Sequence, residues 1–246
     1  MVRGAPGGAT APARRAPSPA PVAKRDRVEL DCDVRPTSMR TLAVLASGQG
    51  TNFEALARAA ARDELGGRIA VLAADRADAP ALMRARRLGI EALHLDPGRF
   101  RTRLEDEAAW ADALLSRGVD AVLLAGFMRR LHERFIGAFP NAILNIHPSL
   151  LPAFPGLDAI AQAWTHGARV TGCTVHLVDA ELDSGPIVAQ AAVEVKDDDT
   201  LETLEARIHD AEHALYPRAA RRCFTEPWRI DGRRLLFGAA EGVRHA

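Results

Sequence analysis

Asn145 and His147 stand two residues apart in Asn145-Ile146-His147-Pro148-Ser149-Leu150-Leu151-Pro152, at the end of an apolar run. Side chains alternate along a strand, so amide and imidazole project from one face, and Pro148 then ends the sheet. That pair can hold and protonate an oxyanion. The same residues also fit a buried histidine satisfied by a backbone carbonyl. Asp183 lies in Glu181-Leu182-Asp183-Ser184-Gly185-Pro186, a Gly-Pro loop between two long apolar runs. Beside His147 it favours the imidazolium and can handle protons. Otherwise it is a turn residue bonding its own backbone. Ser149 lacks the G-x-S-x-G surroundings of an activated serine and reads as a strand-exit residue.

A second candidate is the turn Ser47-Gly48-Gln49-Gly50-Thr51-Asn52, which follows the first apolar run and opens a helix-forming stretch. Glycines let the backbone approach a ligand, and a helix start offers free N–H groups to an anion. No Gly-Lys-Ser/Thr follows, so it is not a Walker loop, and Phe53 occupies the third glycine position of a dinucleotide fingerprint. A single phosphate monoester fits better than a pyrophosphate. The alternative is a tight structural turn with Thr51 or Asn52 as N-cap. His209-Asp210-Ala211-Glu212-His213 matches H-x-x-E-H, a zinc-hydrolase pattern on a helix. A zinc site also needs a third ligand, and the residues beyond His213 offer few, so an incidental helix face or Glu212 as a substrate ligand compete with it.

Stepping from apolar run to apolar run gives the scaffold. Runs at 41–46, 68–73, 90–95, 119–125 and 141–146 read as strands. Between them 53–61 and 79–88 read as helices, and Leu104, Ala108, Ala111 and Leu115 fall on one helical face. This alternation predicts an α/β, Rossmann-like, mostly parallel sheet in a single domain. Longer strands at 170–178 and 187–195 add an antiparallel C-terminal part. A helix carrying Leu201, Leu204, Ile208, Ala211 and Leu215 follows, with Asp199 and Glu202 as its capping box. Asp231-Gly232 between two short runs predicts a hairpin tail.

The charge is balanced, with Lys+Arg and Asp+Glu at 32 each, so no net field draws the chain to nucleic acid or an anionic membrane. No apolar run reaches the ~18–20 residues of a membrane span. Cys32, Cys173 and Cys223 are too few and too scattered for a disulfide framework and fit a reducing cytoplasm. Residues 1–38 hold six of the 15 prolines and have no acidic residue before Asp26. They read as a disordered extension, or as an upstream start with Met39 as the working one, leaving 39–246 as the domain.

The order of motifs is similar to that of phosphoribosylglycinamide formyltransferases, folate-dependent formyltransferases of purine biosynthesis. The resemblance rests on S-G-x-G-T-N, A-G-F-M-R at 125–129, N-I-H-P-S-L-L-P, F-P-G at 154–156, V-T-G-C-T-V-H at 170–176, L-D-S-G-P and E-H-A-L-Y-P at 212–217. It covers about residues 40–237. It implies 10-formyltetrahydrofolate as co-substrate, no metal, small-molecule partners only, and a monomer or weak homodimer in the cytoplasm. It implies that Asn145, His147 and Asp183 are catalytic. Gly50, Thr51, Asn52, Phe53 and Glu54 would hold the phosphate of a ribonucleotide, with Glu212, His209 and Asp210 at its ribose or amine end. Arg103 with Met128, Arg129, Arg130 and Leu131 would line the folate pocket, closed by Asp179, Ala180, Glu181, Leu182 and Asp183, with Asn145 also in reach. Residues 157–162 depart from the family's His-containing pattern. The alternatives are a formyltransferase for another amine such as an amino-sugar nucleotide and, from other classes, a non-catalytic ribonucleotide-binding regulator or a zinc hydrolase on His209, Glu212 and His213.

Overall fold

The computed structural model describes Leu30–Cys32 and residues 39–238. A ten-stranded sheet, its strands numbered β1 to β10 along the chain, runs in the order Leu30–Cys32, Trp228–Asp231, Arg234–Phe237, Ile187–Glu194, Val170–Leu177, Ile143–His147, Ala121–Leu124, Arg40–Ala46, Gly67–Ala74, Glu91–His94. Its central strands are β2 (Arg40–Ala46), β3 (Gly67–Ala74), β4 (Glu91–His94), β5 (Ala121–Leu124) and β6 (Ile143–His147), all mutually parallel. The run of β7 (Val170–Leu177) and β8 (Ile187–Glu194) continues antiparallel from β6. The hairpin β9 (Trp228–Asp231) and β10 (Arg234–Phe237) extends the sheet, turning at Gly232 with φ 62°. Leu30–Cys32 forms β1 on the outer edge of β9, a strand inside the stretch read as a disordered extension. The rest of that extension lies outside the described residues.

Alternation along β2 divides the core. Leu42, Val44 and Ala46 face one layer with α1 (Thr51–Ala61), α2 (Pro80–Arg87) and α6 (Leu201–Thr225). Ala43 and Leu45 face the other, with α3 (Glu107–Leu115) and α4 (Glu133–Ala138). Each large apolar side chain so buried contributes roughly 1.5–3 kcal/mol relative to exposure. Two short helices, α4 and α5 (Ala159–Thr165), were not visible as periodic patterns.

Local details correct three expectations. Helix α3 begins after Leu104 and buries Trp110, Ala111 and Leu114, while Leu115 is 45% exposed. Its cap is Asp106, whose side chain accepts from Ala109 N. The capping box of α6 is Thr200 with Thr203, because Asp199 is turned to Lys196 N, the Thr203 hydroxyl and Arg207. Helix α1 is capped by neither Thr51 nor Asn52: Gly50 stands at that position, left-handed at φ 74°. A Cβ there would meet Ala81 Cβ at 2.6 Å, so the close approach of α2 requires glycine.

Candidate active site

Chain connections reverse direction between β2 and β5, the switch point at which open α/β sheets bind ligands. The turn after β2 and the loop after β5 meet there, with Ser47 N donating to Gly126 O at 3.0 Å. A cleft of about 510 Å³ opens beside them, lined by Asn145, His147 and Asp183 among others.

Asn145 and His147 share a face of β6, and antiparallel pairing sets Asn145 opposite His176 of β7. His176 Nδ1 contacts Leu177 O at 2.9 Å, so it carries the proton, and Nε2 accepts from Asn145 Nδ2 at 3.2 Å. Burial pushes the His176 pKa down, which keeps that ring neutral and in this tautomer. Asn145 is thereby held with a second amide hydrogen left for a ligand. His147 is 5% exposed, and its Nε2 lies 2.9 Å from Phe154 O, an acceptor that fixes the ring. Nδ1 is then the nitrogen turned to Asp183, 3.5 Å from Oδ2. Asp183 is held in turn by Gly156 N at 2.8 Å and by its own left-handed φ of 50°. Next to it, a Cβ on Gly185 would sit 1.9 Å from Leu177 O, so the loop can pack this closely only with glycine. Ser149 Oγ donates to Ala153 O at 2.5 Å and is fully buried, which leaves it no role as a nucleophile.

The loop after β5 is pinned from several elements. Met128 N donates to Ser47 Oγ at 2.9 Å, and Arg130 N to Thr102 O at 2.8 Å. Buried Glu107 accepts from His132 N and Phe135 N. Arg129 Nε pairs with buried Asp75 at 2.6 Å, and its Nη1 bonds Phe100 O, so this guanidinium is committed to the scaffold. Arg129, Arg130, Leu131 and exposed Met128 line the cleft, as do Asp179, Ala180, Glu181 and Leu182 across it. Arg103 is stacked on Phe100 at 4.0 Å, and its neighbour Thr102 lines the cleft in its stead.

At the start of α1 the N–H groups of Thr51, Asn52 and Phe53 precede the first intrahelical bond, from Glu54 N to Gly50 O. Phe53 itself is core. Glu54 is ringed by Arg58, Arg84 and Arg87; burial pushes its carboxyl up, but hydrogen bonds from Arg58 and Arg84 outweigh this and hold it below its ordinary range. Asn52 Nδ2 donates to buried Glu212 at 2.8 Å, and His209 Nδ1 meets the same oxygen at 3.0 Å. The hydrogen bond to Glu212 raises the His209 pKa. His213 lines a different groove, between α1 and α6, and exposed Asp210 lines neither. Among the described residues no group of three His, Cys, Asp or Glu stands together to hold a metal. Glu212 accepts from Asn52 and meets His209. No helix among them is long and apolar enough to cross a membrane.

The structure therefore brings Asn145, His147 and Asp183 into one cluster, and Asn52, Glu212 and His209 into a second. His176, Asp75 and Glu107 were missed. The cross-strand partner of Asn145 could have been found from V-T-G-C-T-V-H, whose alternation sets His176 on a buried face. Asp75 and Glu107 carry no local signal.

A glycine turn and an amide–imidazole–carboxylate group at the switch point of a doubly wound sheet are the parts of an enzyme site that can bind an anion and stabilise an oxyanion. Residues 40–220 match the family described as formyl transferase, and the chain belongs to that family. It is 42% identical over 179 residues to the phosphoribosylglycinamide formyltransferase of Bacillus subtilis, covering 73% of this chain and 92% of that protein. Identity to the Escherichia coli enzyme of the same name is 37% over 192 residues, covering 78% and 88% respectively. The crystal structure of glycinamide ribonucleotide transformylase 1 from Symbiobacterium toebii aligns with a TM-score of 0.77 at 50% identity, over 81% of this chain and 94% of that one.

Proposed function

We propose that the chain transfers the formyl group of 10-formyltetrahydrofolate to the amine of 5'-phosphoribosylglycinamide, giving the formylglycinamide ribonucleotide and tetrahydrofolate. The observation that carries this reading is His147 Nδ1 beside Asp183, with Asn145 on the same strand face, in a cleft whose lining residue Gly126 accepts a hydrogen bond from Ser47 of the glycine turn. Free N–H groups at the start of α1 suit a phosphate monoester, and main chain of the loop after β5 suits the edge of a pterin.

An α-amino type of amine is partly neutral near pH 7, so it can attack the formyl carbon directly. Holding both substrates in line removes at best about 7–11 kcal/mol of the barrier. The resulting oxyanion takes hydrogen bonds from Asn145 Nδ2 and from protonated Nδ1 of His147, each such donor contributing roughly 3–4 kcal/mol. Asp183 stabilises the imidazolium and assists movement of the proton from the attacking nitrogen to N10. We place this chemistry in a cytoplasmic monomer or weak dimer.

The test is an assay of the purified protein with 10-formyltetrahydrofolate against phosphoribosylglycinamide, an amino-sugar nucleotide, and no acceptor. Product is expected with the first only. Transfer to the amino-sugar nucleotide, or release of formate without an acceptor, overturns the assignment.

A further inference from the structure

Glu205 of α6 lines the same cleft as Asn145, His147 and Asp183. It is half-buried, and among the described residues no hydrogen bond or ion pair engages its carboxylate; its electrostatic neighbour is His209, one turn on. Of the other carboxylates that line the cleft, Asp183 accepts from Gly156 N and faces His147, Asp179 accepts from Glu181 N and the Ser184 hydroxyl, and Asp158 and Glu181 are exposed at its rim.

Glu205, His209 and Glu212 follow one another at helical spacing and form a single stripe on α6. The far end of the stripe is fixed to the glycine turn by the bond from Asn52 to Glu212. At the helical rise of 1.5 Å per residue, Glu205 and Glu212 are separated by about 10 Å along the axis. An extended phosphoribosyl amide spans a similar distance from phosphate to terminal amine. A ribonucleotide anchored at the start of α1 and lying along the stripe delivers its amine to Glu205.

We infer that Glu205 is a substrate-positioning residue whose carboxylate accepts an N–H of the glycyl amine. This deepens, and rests on, the ribonucleotide reading above. The bond aims the nitrogen lone pair at the formyl carbon. It also strengthens as the nitrogen gains positive charge on attack, so it favours the transition state over the bound substrate.

The test compares wild type with Glu205→Ala and Glu205→Gln in steady-state kinetics with each substrate varied. It adds calorimetric binding of a desamino ribonucleotide, in which an acetamide replaces the glycinamide. For Glu205→Ala, kcat/KM for the ribonucleotide is expected to fall about tenfold to a hundredfold, the size of one charge-assisted hydrogen bond. KM for 10-formyltetrahydrofolate is unchanged, and Glu205→Gln, which keeps a carbonyl acceptor, recovers part of the loss. The desamino ribonucleotide binds wild type and Glu205→Ala equally. Unchanged kcat/KM in a folded Glu205→Ala protein overturns the inference. So does weakened binding of the desamino compound, which marks a structural effect. A wild-type protein that forms no product overturns the functional reading and the role of Glu205 with it, a result distinct from a wild-type rate that Glu205→Ala leaves intact.

Discussion

The loop after β5 and the turn after β2 lie side by side at the switch point, yet they are built on opposite plans. In the first, polar groups are committed to the scaffold: Met128 N to Ser47, Arg129 to Asp75, Arg130 N to Thr102, His132 N to Glu107. In the second, the carbonyls are tied, Gly48 O to Ala81 N and Gln49 O to Arg84, but helix-start N–H groups have no intrahelical acceptor, and buried Asn52 Oδ1 has no hydrogen-bond partner among the described residues. A committed loop presents a fixed main-chain edge, which suits a flat ring system whose donors and acceptors lie in one plane. An uncommitted helix start keeps bonding capacity for an anion and for hydroxyl donors. Damage to the first therefore falls on the fold, and damage to the second on binding. The Asn145 amide and the His147 ring sit between them and belong to neither plan: Asn145 is held by His176 and keeps one amide hydrogen, and His147 is fixed by Phe154 O while its other nitrogen faces Asp183.

The largest expected effect lies at this centre. His147→Asn or Asp183→Asn lowers kcat by ~10²–10⁴ with smaller changes in either KM. Wild-type turnover by His147→Ala, measured free of host enzyme, rules the assignment out. Next comes the committed loop. Asp75→Ala leaves the Arg129 guanidinium, only 14% exposed, without its counter-ion, a loss of about 3–5 kcal/mol for one partner of a buried pair. Denaturant unfolding measures it, and kinetics should show KM rising for the folate and not for the ribonucleotide. Equal rises for both substrates would dissolve the contrast between the two regions.

How much of this was readable from residue order depends on the range of the interactions. The alternation of strands and helices follows from period-2 and period-3.6 patterns, and the parallel centre follows from the spacing between them. Asn145 and His147 are two apart on a strand, so their shared face was legible, and Asp183 was marked by its Gly-Pro loop. A backbone carbonyl on His147 was expected only as the alternative to a catalytic role, whereas one ring has both partners: Nε2 is fixed by Phe154 O and Nδ1 faces Asp183. Partners set by tertiary packing were not legible. Asp75 and Arg129 are 54 residues apart, and no local pattern links them. Helices α4 and α5, of 6 and 7 residues, are too short to establish a period. The capping box was displaced by one residue because Asp199 finds a longer-range partner in Arg207.

A smaller effect tests what ties the two regions into one platform. Tyr216 is fully buried on α6, and its hydroxyl is shared between Leu124 O at 3.1 Å and Leu144 O at 2.9 Å, near the ends of the strands that carry the loop after β5 and Asn145. Burial pushes its phenol well above the ordinary range, so it stays a donor at any working pH. Tyr216→Phe leaves strand carbonyls short of a donor and costs about 1–3 kcal/mol. The denaturation midpoint should fall with an unchanged m-value. An unchanged midpoint would mean that the strand ends hold themselves.

The smallest effect separates the two histidine environments by sign. His209 is held above the ordinary imidazole value of 6.5 by its hydrogen bond to Glu212, against partial burial. The folded chain therefore binds this proton more tightly than the unfolded one, and the stabilisation is complete below 6.5 and fades as pH rises through the folded-state value. Buried His176 behaves oppositely: its value is depressed, so its neutral ring costs stability as pH falls below 6.5. The side chain of His209 is 49% exposed, and solvent screening keeps its contribution slight. The gap in melting temperature between wild type and His209→Gln should be widest on the acid side of 6.5 and should close towards alkaline pH. A gap that widens with rising pH would show that His209 is held neutral, and that the helix start gains no imidazolium from this pair.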